Sequence, residues 1–253
     1  MNYLGGKATL AKHILPIILK DRKPGQWYVE PFAGGMNVVD KVKGNRIASD
    51  AHPQLIAMWK ALVEDGWTPP GIISKDEYRY ARDNRSMFDD YYLGWVGFCC
   101  AFNGAYFNSY AGNVSEKYRN KNGKLRNYQE ETKNAIMRQI PKLKNVIFNC
   151  STYDKLSIPP ESIVYCDPPY KGTTGYSVSL DHDAFWQWCR EQSKAGHSVF
   201  ISEYNAPKDF RCIYEKIKRY GTGGSFTPST ERLFVYPWLT NLEYIRHKQL
   251  EIF

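Results

Sequence analysis

The sequence predicts an α/β protein organised on an open, doubly wound sheet. Three observations carry that prediction. Short β-branched, apolar runs alternate with segments of helical periodicity at both ends of the chain. Two of those runs stop at a carboxylate followed by proline, Glu30-Pro31 and Asp167-Pro168-Pro169, and proline cannot donate to a strand ladder. A third run ends at Asp50, 20 residues after Glu30, so three acids belong at the carboxyl ends of strands, where such sheets bind ligands.

The elements follow in order. Tyr3-Leu4-Gly5-Gly6-Lys7 is a glycine turn with one aromatic and one cation, and Thr9 is placed to cap a helix carrying Leu10, Ile14, Leu15 and Ile18. Trp27-Tyr28-Val29 is a short strand that enters the loop Glu30-Pro31-Phe32-Ala33-Gly34-Gly35, and a helix is expected from Met36 to Lys43. The glycines let backbone approach a ligand closely. The loop is neither Gly-x-Gly-x-x-Gly nor a phosphate loop, which argues against a dinucleotide or a triphosphate. Arg46–Asp50 is the next strand. Asp50 suits either the N-cap of the following helix or a ribose contact, and its pairing with the Glu30 loop favours the ribose. Pro53 opens that helix, with Leu55, Met58, Trp59 and Leu62 as core.

From Trp67 to about Asn145 the αβ rhythm fails, and residues 67–145 read as an insert between two parts of one domain, 1–66 and 146–253. The insert holds Asn103-Gly104-Ala105-Tyr106-Phe107-Asn108 and then a basic stretch. Between Ala111 and Lys144 there are nine basic residues against three acidic ones, out of a net charge of +8 for the chain. Amides suit adenine edges, Arg suits guanine, and Lys and Arg suit phosphates. A small helical subdomain with solvated loops is the alternative from composition alone. The sheet resumes with Val146–Cys150, then Tyr153 in a loop, then Ile163-Val164-Tyr165-Cys166-Asp167. A helix capped by Asp181 buries Phe185, Trp188 and Cys189, and Ser198–Ser202 is a further buried strand. Cys212–Arg219 and Glu231–Tyr236 form an antiparallel hairpin across a glycine-rich connection.

Other classes are excluded by composition. No stretch approaches the roughly 18 consecutive apolar residues of a membrane span, and Met1–Gly6 lacks the regions of a signal peptide, so the expected location is the cytoplasm. The six cysteines show no metal-ligand spacing, and reduced thiols are expected.

Together these stretches resemble the adenine-N6 DNA methyltransferases of the Dam type, the D12 class found in bacteria and phages. Tyr3–Lys7 is similar to the family's N-terminal cofactor motif, Glu30–Gly35 to its glycine loop, Asp50 to its ribose acid, and Asp167-Pro168-Pro169-Tyr170 to its catalytic motif. Glu231–Tyr236 is similar to its closing hairpin, and Asn103–Asn108 loosely echoes its recognition region. The resemblance implies a Rossmann-like methyltransferase fold with a mixed, mainly parallel seven-stranded sheet and a helical target-recognition insert. It further implies S-adenosylmethionine as cofactor and an adenine in double-stranded DNA as acceptor. Tyr3, Gly6, Lys7, Glu30, Phe32, Gly34, Gly35, Asp50, Tyr153 and Asp167 would line the cofactor pocket, with a core tyrosine as the alternative for Tyr153. Asn103, Asn108, Lys117, Arg119, Lys121, Lys124 and Arg126 would contact DNA, and no metal is implied.

The catalytic motif makes chemical sense. An exocyclic purine amine is a poor nucleophile because its lone pair is delocalised into the ring. Acceptors at the Asp167 carboxylate and the Pro168 carbonyl would draw that nitrogen towards tetrahedral geometry, beside Pro169 and a stacking face at Tyr170. Cys166 lies inside the apolar strand and is no nucleophile. An RNA or protein amide methyltransferase is a rival, although such enzymes more often place Asn before the prolines. A catalytically idle DNA-binding module is a second rival, opposed by the intact Asp50 and Asp167–Tyr170.

Overall fold

The structure is a computed structural model, which describes residues 1–112, 123, 127–170, 180–220 and 227–238. Seven strands form one sheet: β1 (Tyr28–Glu30), β2 (Arg46–Asp50), β3 (Val146–Cys150), β4 (Ile163–Cys166), β5 (Ser198–Glu203), β6 (Arg211–Tyr220) and β7 (Thr227–Val235). Their spatial order is β3-β2-β1-β4-β5-β7-β6. β1 pairs in parallel with both β2 and β4, and the outer pairs β2–β3 and β4–β5 are parallel too. Only β7 runs against its neighbours β5 and β6. The chain winds outward from β1 to β3 and then returns to the other side of β1. That reversal opens a crevice at the carboxyl ends of β1 and β4, where Glu30 and Asp167 stand.

Both faces of the sheet are covered, so its strands are apolar almost throughout. Side chains alternate along a strand, and the two faces feed two cores. Tyr28, Ala48, Phe148, Ile163, Tyr165 and Phe200 point into the larger one. Val29, Ile47, Val164, Cys166, Val199 and Ile201 point into the smaller one. Six α-helices are described: α1 (Ala11–Ile18), α2 (Pro53–Val63), α3 (Lys75–Asp83), α4 (Asp90–Gly94), α5 (Tyr128–Gln139) and α6 (His182–Lys194). The smaller core is closed by Phe185, Trp188 and Cys189 of α6, and Asp181 caps that helix by accepting from the Asp183 and Ala184 amides at 3.0 Å. α1, α2 and α5 contribute to the larger core.

Two local expectations are corrected. Residues 36–43 form turns and a short 3-10 helix, Val39–Lys41, instead of an α-helix. The β-branched Val38, Val39 and Val42 disfavour a helix there, and all three are buried. α1 has Leu10 at its N-cap, with no side-chain cap bond, so Thr9 does not cap it.

The segment expected as an insert packs into the body of the sheet domain. α4 continues as a π-helix, Trp95–Cys99, whose Trp95, Val96 and Phe98 share a core with Leu10, Ile14 and Met58. α4 crosses α2 so closely that a Cβ on Gly94 would stand 2.1 Å from the Gln54 carbonyl oxygen. At the end of α5, the Gln139 amide donates to the carbonyls of Gly35 and Met36, at 3.0 and 2.8 Å. Among the described residues, parts of the 67–145 segment thus share the larger core with α1 and α2. A run apolar on every side, as Leu93–Cys100 is, must be enclosed by the body of a protein.

Candidate active site

A cavity of about 710 Å³ occupies the crevice at the switch point. Its volume lies in the ordinary range for cofactor sites, roughly 300–1,000 Å³. One wall is the loop after β1. Gly34 has φ +46°, a left-handed conformation costly for residues with a Cβ. A Cβ there would also stand 2.5 Å from Cε1 of Tyr3, which packs over the loop. The Gly34 amide donates to Asp50 Oδ2 at 3.0 Å, and the His52 amide donates to Oδ1 at 3.0 Å. Asp50 thus ties the end of β2 to the glycine loop. Burial raises its pKa, and the amide bonds pull the other way.

A second wall is aromatic. Phe32 and Tyr153 stack with centroids 5.5 Å apart, and Phe185 and Trp188 meet the Tyr153 ring edge-on from behind. Tyr153 lines the cavity and packs against the smaller core. His52, Phe98, Tyr106 and Asn108 also line the cavity. Burial lowers the His52 pKa to about 4 and keeps the ring neutral. Its Nδ1 has no hydrogen-bond partner among the described residues.

The floor holds the acids. Glu30 is 3% exposed and accepts from the Tyr28 hydroxyl at 2.7 Å. Burial pushes its pKa up to about 8; the hydroxyl bond opposes the rise and the nearby Asp167 charge adds to it. Asp167 follows β4, and its Oδ1 lies 3.1 Å from Lys7 Nζ. The Lys7 ammonium, 5% exposed, is also 3.6 Å from Glu231 on β7 and donates to the Gly5 carbonyl at 3.2 Å. It stands 4.4 Å from the centroid of the Tyr170 ring, whose hydroxyl donates to Glu231 at 2.8 Å.

Most of the residues singled out from the sequence converge here. Tyr3, Gly6, Lys7, Glu30, Phe32, Gly34, Gly35, Asp50, Tyr153, Asp167 and Pro169 all line the cavity. Pro168 and Tyr170 are buried beside it and do not line it. The stacking face expected of Tyr170 is covered by Lys7 on one side and met edge-on by Tyr204, 4.6 Å away. Asn103 and Asn108 are exposed, and Asn108 reaches the cavity. Lys117, Arg119, Lys121, Lys124 and Arg126 lie outside the described residues. Sequence reasoning missed Glu231, His52, Leu180 and Asp181 as site residues; the last was legible as a helix cap, which concealed its place at the rim.

Residues 3–222 match the family described as D12 class N6 adenine-specific DNA methyltransferase. The chain belongs to that family. Its order of motifs, glycine loop, strand-end Asp50 and Asp167-Pro168-Pro169-Tyr170, is what the matched region contains. The chain is similar to the type II methyltransferase M.FokI of Planomicrobium okeanokoites, 29% identical over 218 residues, covering 76% of this chain and 32% of that one. It is similar to modification methylase StsI of Streptococcus sanguinis, 24% identical over 195 residues, 69% of this chain and 29% of the other. The retron Ec67 DNA adenine methylase of Escherichia coli is 23% identical over 244 residues, 81% of this chain and 80% of the other. The chain thus spans about a third of the length of the first two relatives. Among the described residues, no helix is long and apolar enough to cross a membrane.

Proposed function

We propose that this D12-class protein transfers a methyl group from S-adenosylmethionine to the exocyclic amine of an adenine in double-stranded DNA. The observation that carries the proposal is the Asp167 carboxylate at the switch point, sharing one cavity with the glycine loop that Asp50 holds. The cavity fits the cofactor on its own features. The cradle at Gly34 has no room for a Cβ, the Asp50 carboxylate is ordered beside it, and Phe32 and Tyr153 form an aromatic wall. Asp50 would hold ribose hydroxyls, Phe32 and Tyr153 the adenine ring, and Tyr3, Gly6 and Gly35 the backbone-facing side. When bound, the cofactor supplies a methyl group activated on a sulfonium.

The protein's part is acceptance and orientation. Asp167 and the Pro168 carbonyl accept the two N–H bonds of the target amine, and its lone pair turns away from the purine ring. Each charge-assisted bond contributes roughly 1.5–3 kcal/mol. Alignment in a dry pocket contributes more. The adenine must leave the duplex stack, at about a few kcal/mol. Lys7 stands over the Tyr170 ring, so that face can stack only after Lys7 withdraws.

DNA reading is assigned to the later part of the 67–145 segment. Asn103 and Asn108 are both exposed, Asn108 also lines the cavity, and amides suit adenine edges. Lys117, Arg119, Lys121, Lys124 and Arg126 follow in the sequence and suit phosphates. Incubation of the protein with labelled S-adenosylmethionine and DNA, RNA or protein acceptors tests the reading. Label is expected in DNA adenine, and label confined to RNA or protein would overturn it. Sequencing of modified adenines in DNA from an expressing host then gives the target site.

A further inference from the structure

Lys7 and Asp167, which line the cavity, meet Glu231 and Tyr170, which are buried beside it. Lys7 Nζ lies 3.1 Å from Asp167 and 3.6 Å from Glu231, and Tyr170 donates to Glu231 at 2.8 Å. The ammonium also stands over the Tyr170 ring. It therefore holds two positions that the target base needs, one acceptor of Asp167 and one face of Tyr170. An ammonium this buried does not leave its counter-ion for nothing, because a buried charge without a counter-ion is strongly disfavoured. Glu231, 3% exposed and on a different strand, is within reach of the same ammonium.

We propose that Glu231 is a positioning residue that takes over the Lys7 ammonium, so that Asp167 can release Lys7 and accept the amine of the incoming adenine. The inference rests on the adenine-methyltransferase reading and adds the step that prepares its acceptor. Glu231 touches neither base nor cofactor in this scheme. It acts through Lys7, which moves by less than the length of its own side chain between two carboxylates already in contact range. The Tyr170 hydroxyl bond keeps the Glu231 carboxylate in place while Lys7 shifts.

The test uses a duplex carrying the identified target site with the target adenine intact and 2-aminopurine as its neighbour in the same strand, whose fluorescence rises when the adenine leaves the stack. It is run without cofactor. Wild-type methyl transfer to the unmodified duplex is measured separately, so a failure of the parent reading shows there and not in this comparison. Glu231→Gln keeps the shape and removes the charge. It is expected to lower the equilibrium for base entry roughly ten-fold or more, and Glu231→Asp to restore part of it. In a Lys7→Met background the further effect of Glu231→Gln should vanish, because no ammonium remains to be moved. Unchanged base entry in Glu231→Gln would overturn the proposal. An equal loss in the presence and absence of Lys7 would also overturn it, since Glu231 would then act through Tyr170 alone. If Glu231→Gln fails to fold, the comparison passes to Glu231→Asp, with and without Lys7→Met: loss of base entry only when Lys7 is present supports the proposal, and loss in both backgrounds overturns it.

Discussion

Gly34→Ala separates the cofactor wall from the rest of the cavity. A methyl group at this position meets two costs. The left-handed backbone costs a residue with a Cβ about 1–2 kcal/mol, and the new Cβ stands 2.5 Å from the Tyr3 ring. The ring cannot retreat far on its other side, because Phe98 lies 5.8 Å away. It must rotate, at about 0.5–1.5 kcal/mol if forced off its rotamer, and the open direction is the cavity. Together these amount to about 2 kcal/mol of stability, or a fall in Tm of about 4–8 °C for a chain of this size. Intrusion of the ring into a packed ligand site costs a further 1–3 kcal/mol or so, which is roughly a five-fold to hundred-fold loss of cofactor affinity. Calorimetric titration with S-adenosylhomocysteine, beside a thermal melt of the same variant, reads both. A folded variant with undiminished affinity would refute the assignment of the Tyr3–Gly34 wall to the cofactor.

Three other perturbations probe the remaining parts of the site. Asp167→Ala should bind S-adenosylhomocysteine much as the parent does while single-turnover methyl transfer falls by roughly 10- to 150-fold or more, the worth of one charge-assisted bond; near-normal turnover would remove Asp167 from the mechanism. Burial raises Glu30 from 4.5 to about 8, so the folded protein keeps a proton there that the unfolded chain releases. Its contribution to stability is full below pH 4.5 and is lost as the pH rises towards 8. Glu30→Gln, neutral at every pH, should gain stability relative to the parent across that window in chemical denaturation, and parallel pH profiles would contradict the shift. Neutralising Lys121, Lys124 and Arg126 together should flatten the dependence of log K for duplex binding on log salt by roughly 2.7, about 0.9 for each phosphate that is no longer neutralised; an unchanged slope would mean that these side chains face solvent.

Local sequence signals carry the sheet and the acids at the carboxyl ends of its strands. Strands β3 and β4, the start of α2 at Pro53 and the cap of α6 at Asp181 were legible because their signals are local: β-branched runs, prolines that end a ladder, and a carboxylate three residues before a helical amide it can cap. Glu30, Asp50 and Asp167 were legible for the same reason, since a strand-end acid needs only its own neighbours to be recognised. Tertiary structure alone decided what those acids meet. It packed Trp95 and Gly94 of the 67–145 segment against the sheet domain, because burial of Trp95 and the crossing at Gly94 depend on α2, and no local signal reports the helix on the other side. The raised pKa of Glu30 is likewise a sum over surroundings that the chain assembles from several strands. The same holds for the floor of the site: Lys7, Asp167, Tyr170 and Glu231 come from a glycine turn, the end of β4 and β7, and only folding brings an ammonium between two carboxylates and over the ring.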